Sequence, residues 1–125
     1  MISYSFGNLA FNNEYGENTI EMIVSAQNRY KTPEEFFRAA IRFLDEVVWT
    51  GYNVAAEYNS ASLKDGNFGD IVQKWLNSMD EKVEINVDEI IKIYRVKRAT
   101  YDPLVDEFLI ETRNEYILLL WATSA

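Results

Sequence analysis

The last third of the chain carries the pattern that most restricts its fold. Three runs rich in β-branched and aromatic residues follow one another there, separated by residues that are typical of turns. The runs are Ile90 to Ala99, Val105 to Thr112 and Glu115 to Thr123, and the turns are Tyr101-Asp102-Pro103 and Arg113-Asn114. Strands joined by such short connections pair antiparallel, so this region predicts an antiparallel meander, preceded by a shorter alternating run over residues 83 to 87.

Two features extend this sheet. The segment from Tyr116 to Trp121 is apolar at every position, as in a strand covered on both faces, so we expect the last strand to be central. Ile2 to Phe6 alternates apolar and small polar residues, which predicts an N-terminal strand. Thr19 to Ala26 fits a strand or a capped helix, and its alternation favours a strand.

The segment from Thr32 to Glu35 predicts the start of a long helix. The Thr32 hydroxyl can accept a hydrogen bond from the Glu35 amide, the Glu35 side chain can return to the Thr32 amide, and Pro33 suits the first helical position. Apolar residues then recur at spacings of three and four, which gives the helix a face that must pack on another element. They are Phe36, Ala40, Phe43, Leu44, Val47 and Val48.

Gly51 is expected to end or kink this helix, with a helical continuation from Tyr52 to Tyr58. Ser60 to Gly69 is rich in turn-forming residues and predicts a loop, after which Asp70 can cap a short second helix. The length suits one domain. We therefore predict a single α+β domain over residues 1–125, with an antiparallel sheet packed against one long and one short helix.

The chain contains no Cys and no His. This excludes thiol nucleophiles, disulfides, imidazole bases and the usual zinc ligands. The remaining carboxylates show no spacing that matches a calcium loop or a metal nuclease. We therefore expect a protein that is not an enzyme and that uses no cofactor and no metal.

The 125 residues hold 12 Lys and Arg against 20 Asp and Glu, so the net charge is -8. Such a charge disfavours direct binding to nucleic acid or to anionic membranes. No basic start, apolar leader or membrane-spanning run is present in the sequence, which favours a cytoplasmic location.

These observations favour an acidic inhibitor, of the immunity or anti-defence type, that covers a basic site on a toxin, nuclease or defence complex. Carboxylates speed association with a basic site and can stand in for the phosphates of a nucleic acid. Tyr is abundant, with eight residues, and is a residue that interfaces favour. The candidate partner contacts are Asp45, Glu46, Asp80, Glu81, Asp88 and Glu89, together with Tyr52 and Tyr58 as exposed aromatic residues.

Two other functions are compatible with the sequence. A small molecule or nucleotide could bind at the one basic cluster, which comprises Lys92, Arg95, Lys97 and Arg98. The simpler interpretation is that these cations protect an exposed strand and balance Asp102, Asp106 and Glu107 across the turn. Alternatively, the protein is a structural homo-oligomer in which the apolar last strand pairs across a two-fold axis.

Overall fold

The computed structural model describes residues 1–6, 18–51, 53–66, 89–98 and 105–123. Six strands form one antiparallel sheet in the order β1-β2-β6-β5-β4-β3. The strands are β1 (Ile2–Phe6), β2 (Asn18–Ala26), β3 (Ser62–Asp65), β4 (Ile90–Lys97), β5 (Val105–Thr112) and β6 (Glu115–Thr123). A long helix, α1 (Pro33–Phe43), runs into a π-helical turn (Leu44–Val48), and a short helix, α2 (Val54–Tyr58), follows.

The predicted α+β architecture is confirmed. β4, β5 and β6 form the expected meander, and the ambiguous second segment is a strand that pairs with both β1 and β6. The apolar last strand is central, since β2 and β5 flank it. Its side chains from Tyr116 to Leu120 are all buried, as expected for a strand covered on both faces.

The start of α1 is also confirmed. The Thr32 hydroxyl accepts a hydrogen bond from the Glu35 amide at 3.1 Å, and Pro33 occupies the first turn. The Glu35 side chain differs from the expectation, because its Oε2 accepts from the amide of Lys31 at 2.7 Å instead of that of Thr32. The helix start therefore has two side-chain acceptors, and the amide that donates to Glu35 lies one residue further back along the chain than predicted.

The sheet has an apolar core on each face. On one face α1 contributes Phe36, Phe37 and Leu44 to a core with alternate residues of the central strands. On the other face the intervening residues of the same strands form a second core. The second core comprises Ile20, Met22, Ile93, Phe108, Ile110, Ile117 and Leu119. This division follows from the strand geometry, in which successive side chains point to opposite faces.

The C-terminal part of the long helix departs from the predicted apolar stripe. The Trp49 amide donates to the Leu44 carbonyl at 2.6 Å, five residues back, so the last turn is π-helical. A wider turn changes the angular spacing of the side chains. Val47, which the regular spacing places on the buried face, is therefore 61% exposed.

The prediction of a loop over residues 60–69 is wrong in part, because β3 forms there and pairs with β4. The pairing continues at Gly66, whose amide donates to the Ile93 carbonyl at 2.9 Å. The short α-helix α2 matches the predicted continuation to Tyr58, and a short 3-10 helix (Gln27–Arg29) follows β2. The predicted helix after Asp70, the run at 83 to 87 and the turn at 101 to 103 lie outside the described residues.

Candidate functional site

A carboxylate on the central sheet is buried beneath the short helix. Glu107 of β5 is 5% exposed, and both of its carboxylate oxygens accept hydrogen bonds. The Tyr58 hydroxyl donates to Oε2, and Nε of Arg98 lies 2.8 Å from Oε1. Arg98 also lies over the Tyr58 ring, 4.9 Å from its centre, and 3.6 Å from the carboxylate of Glu57. We call Glu107, Tyr58, Arg98 and Glu57 the buried network.

Burial dominates the electrostatics of this network. Removal from water raises the pKa of Glu107, and the hydrogen bond from Tyr58 and the charge of Arg98 lower it by less. Burial and the neighbouring Glu107 carboxylate also raise the pKa of Tyr58. The tyrosine therefore keeps its proton and serves Glu107 as a hydrogen-bond donor.

A second arginine fixes the end of α2. The guanidinium of Arg38, on α1, donates to the carbonyl of Tyr58 at 2.8 Å and to that of Ala61 at 2.6 Å. The Tyr58 carbonyl, at the end of α2, also accepts from the amide of Ala61 at 3.1 Å, so Arg38 ties both α2 and the residue that precedes β3 to α1. Arg38 is itself held by Glu34, one turn earlier on α1, at 3.0 Å. Arg98 and Arg38 both hold α2 in position. The two carboxylate oxygens of Glu107 and the hydroxyl of Tyr58 all have hydrogen-bond partners, which indicates a structural role for this pair.

The predicted basic cluster does not form one surface. Lys92 lies over the ring of Tyr94, which packs against the α1 core, whereas Arg95 lies over Phe108 in the core of the opposite face. Three of its four cations form ion pairs with other described residues: Lys92 with Asp65, Arg95 with Asp106, and Arg98 with Glu107 and Glu57.

The interpretation that these cations balance acids across the turn is confirmed for Asp106 and Glu107. The expectation that they protect an exposed edge is wrong, because β4 is paired on both sides, by β3 and β5. Asp102 lies outside the described residues. Ligand binding by Lys92, Arg95, Lys97 and Arg98 stays a prediction.

The candidate partner contacts lie in different environments. Glu46 is exposed, and Asp45 and Glu89 are half-buried. The expectation of an exposed Tyr58 is wrong, because its side chain is 4% exposed and its hydroxyl is bonded to Glu107. Tyr52, Asp80, Glu81 and Asp88 lie outside the described residues.

The exposed acid Glu46 belongs to a surface at the junction of the two helices. Oδ1 of Asp45 accepts from the amide of Val54 at 2.8 Å, which joins the π-helical turn to the start of α2. Between them, Gly51 at φ 89° and Asn53 at φ 51° turn the chain through left-handed conformations. Glu46 and Val47 are exposed before this turn, and Asn53 and Glu57 after it. We call these four residues the junction surface.

The described part of the chain contains no group of three or more acidic side chains placed to hold a metal ion. None of the helices in that part is long and apolar enough to cross a membrane. Comparison of the chain with models of protein families, with curated proteins and with solved structures found no match.

Sequence reasoning missed the buried network, although one signal for it was present. In β5, Glu107 alternates with Phe108 and is two residues from Leu109, so it falls on the same face of the strand as an apolar core residue. A carboxylate at a buried position requires hydrogen-bond donors nearby. The identity of those donors depended on how α2 packs, which the sequence pattern does not reveal.

Proposed function

We propose that this protein is an acidic inhibitor that docks on a basic site of another protein and covers it. The observation that supports this proposal is the junction surface, in which Val47 is an exposed apolar residue and Glu46 and Glu57 are exposed acids. An apolar contact flanked by carboxylates suits a basic cleft, because charge guides the encounter and apolar contact slows dissociation.

The junction surface is also held in place before binding. Asp45 joins its two sides through the hydrogen bond that it accepts from the amide of Val54. Arg98 and Arg38 fix α2 from the sheet and from α1. A surface that is already ordered loses less conformational entropy on binding, which favours affinity.

The acidic character of the chain adds long-range attraction for a basic partner. The described residues hold twelve Asp and Glu against ten Lys and Arg, so they account for -2 of the net charge of -8. Candidate contacts Asp80, Glu81 and Asp88 belong to the more acidic remainder of the sequence. We propose that they act with Glu46 in attracting the partner.

Capture experiments with three forms of the protein test this proposal. The wild type, the Glu46→Lys variant and the Glu115→Lys variant are immobilised and exposed to a lysate of the native host. Glu115 is an exposed acid on β6, and both substitutions change the net charge from -8 to -6. Trp49, which follows the π-helical turn, is close to Glu21 on β2. Glu115 pairs with Ala26, five positions further along β2, so Glu115 lies roughly 17 Å from Glu21.

We expect the wild type and Glu115→Lys to retain the same basic protein, and Glu46→Lys to bind it at least about tenfold more weakly. Adding the wild type in solution should inhibit the activity of the captured protein. The proposal is wrong if no basic protein is retained, or if a retained protein keeps its full activity when saturated with the wild type.

A further inference from the structure

The strands at the two ends of the described sheet, β1 and β3, differ in how their outer edges are protected. The β3 edge carries Lys64 and Asp65, and Asp65 forms an ion pair with Lys92 at 3.1 Å. Charged residues on an edge strand oppose pairing with another chain. β1 has the sequence Ile-Ser-Tyr-Ser-Phe and contains neither a charged residue nor a proline. The β1 edge therefore lacks the features that discourage a further strand.

β1 is also exposed on both faces. Ile2 and Tyr4 are 57% and 46% exposed, and Ser3 and Ser5 on the other face are exposed as well. On its inner side β1 pairs with β2, and no described strand pairs with its outer side. The backbone of β1 thus offers an edge to which a strand could add by main-chain hydrogen bonds.

The sequence of β1 suits a second copy of itself. Its residues read the same in both directions by type, with apolar residues at positions 2, 4 and 6 and serines at 3 and 5. In an antiparallel pair centred on Tyr4, all five residues of one copy face residues of the same class in the other. Tyr4 then faces Tyr4, Ser3 faces Ser5, and Ile2 faces Phe6, so apolar and polar faces coincide.

We propose that two copies of this protein associate through β1, antiparallel and about a two-fold axis at Tyr4, which joins their sheets into one. The absence of charge on β1 allows close approach in spite of the net charge of -8 on each copy. Since Ile2 and Tyr4 pair with Val24 and Met22 of β2, they extend the core of the face opposite α1. Pairing covers these exposed side chains.

This arrangement replaces the predicted pairing of the last strand. β6 cannot pair across a two-fold axis, because β2 and β5 occupy both of its edges. β1 is a short strand, so the contact area is small and the dimer is weak and depends on concentration. The association is independent of the proposed inhibitory function, and each can fail without the other.

Sedimentation velocity over a dilution series tests the proposal. We expect a reversible dimer for the wild type and a dissociation constant raised at least about tenfold for Tyr4→Lys, which places two like charges opposite each other. Ile91→Lys is the matched control, because Ile91 is 60% exposed and lies on β4, away from β1. This variant should dimerise as the wild type does. Each substitution makes the net charge one unit less negative, so general repulsion cannot explain a loss of the dimer.

A second variant tests the register without destabilising the strand edge by charge. The chain has no Cys, so Tyr4→Cys introduces a single thiol. Residues directly opposite in an antiparallel pair have Cα atoms about 4.5 to 5.5 Å apart, within the range of a disulfide. Oxidation should link two copies of Tyr4→Cys and should not link copies of Ile91→Cys. A wild type that stays monomeric at every concentration, or equal cross-linking of the two variants, would contradict the proposal.

Discussion

At the scale of single residues, Glu107 connects three elements that are distant in the sequence. Its carboxylate joins β5 to Tyr58 on α2 and to Arg98 beyond the end of β4. Burying a carboxylate is costly, and this cost is offset only while both donors remain in place. The buried network therefore makes the position of α2, and with it one side of the junction surface, depend on a small number of polar contacts.

The buried network should make the free energy of unfolding depend on pH. The ordinary pKa of the Glu107 carboxyl is 4.5, and burial raises it in the folded protein. The folded state thus binds this proton more tightly than the unfolded state, so the resulting stabilisation is complete below pH 4.5 and is lost as the pH rises through the folded pKa. Relative to the Glu107→Gln variant, the wild type should become less stable as the pH increases towards neutrality.

Denaturant unfolding of both proteins over this pH range measures the difference, in which the contributions of the other acids largely cancel. A difference that moves the other way, with the wild type gaining on Glu107→Gln as the pH rises, would show that Arg98 outweighs burial. That result would contradict the electrostatic description of the site.

At the scale of elements, the helix and strands whose signals are local were predicted well. Thr32 and Pro33 fixed the start of α1, and alternation or continuous apolarity identified β1, β2 and β6. β3 was missed because its short Ser-Leu-Lys-Asp sequence has weak strand preference. Its conformation depends on pairing with β4, which is a tertiary interaction.

The candidate site was less predictable, because it too depends on tertiary contacts. The exposure of Val47 results from the π-helical turn, and the sequence of that turn contains no residue that predicts a π-helix. Tyr58 is predicted to be exposed, and its burial could not be anticipated because its partner Glu107 is 49 residues away in the sequence. Asp45 is a predicted partner contact, yet its carboxylate accepts from the amide of Val54. Patterns in the sequence locate elements, while long-range contacts decide which side chains remain exposed.

The cap of α1 gives a prediction at this scale. Thr32→Ala removes the acceptor for the Glu35 amide and should lower the free energy of unfolding by about 1 kcal/mol. Thr32→Ser keeps a hydroxyl at the same position and should retain most of the stability. Chemical denaturation of the three proteins provides the measurement. Equal losses in both variants would indicate that the Thr32 methyl group, and not the hydrogen bond, matters.

At the scale of the whole molecule, two surfaces of different chemistry are built around a six-stranded sheet. The junction surface lies where the long helix ends in a π-helical turn, and the β1 edge lies at one side of the sheet. One contains exposed acids and an exposed apolar residue, and the other is an uncharged strand. We propose different partners for them on the basis of their chemistry: a basic protein for the first and a second copy for the second.

The central claim is that acidic side chains guide this protein onto a basic partner. The most direct test is the association rate constant with the captured protein, measured at increasing ionic strength for the wild type, Glu46→Lys and Glu115→Lys. Electrostatic guidance predicts that the wild-type rate falls as salt is added, and that Glu46→Lys lowers it more than Glu115→Lys. An association rate that is independent of salt, and equal for all three proteins, would contradict the claim.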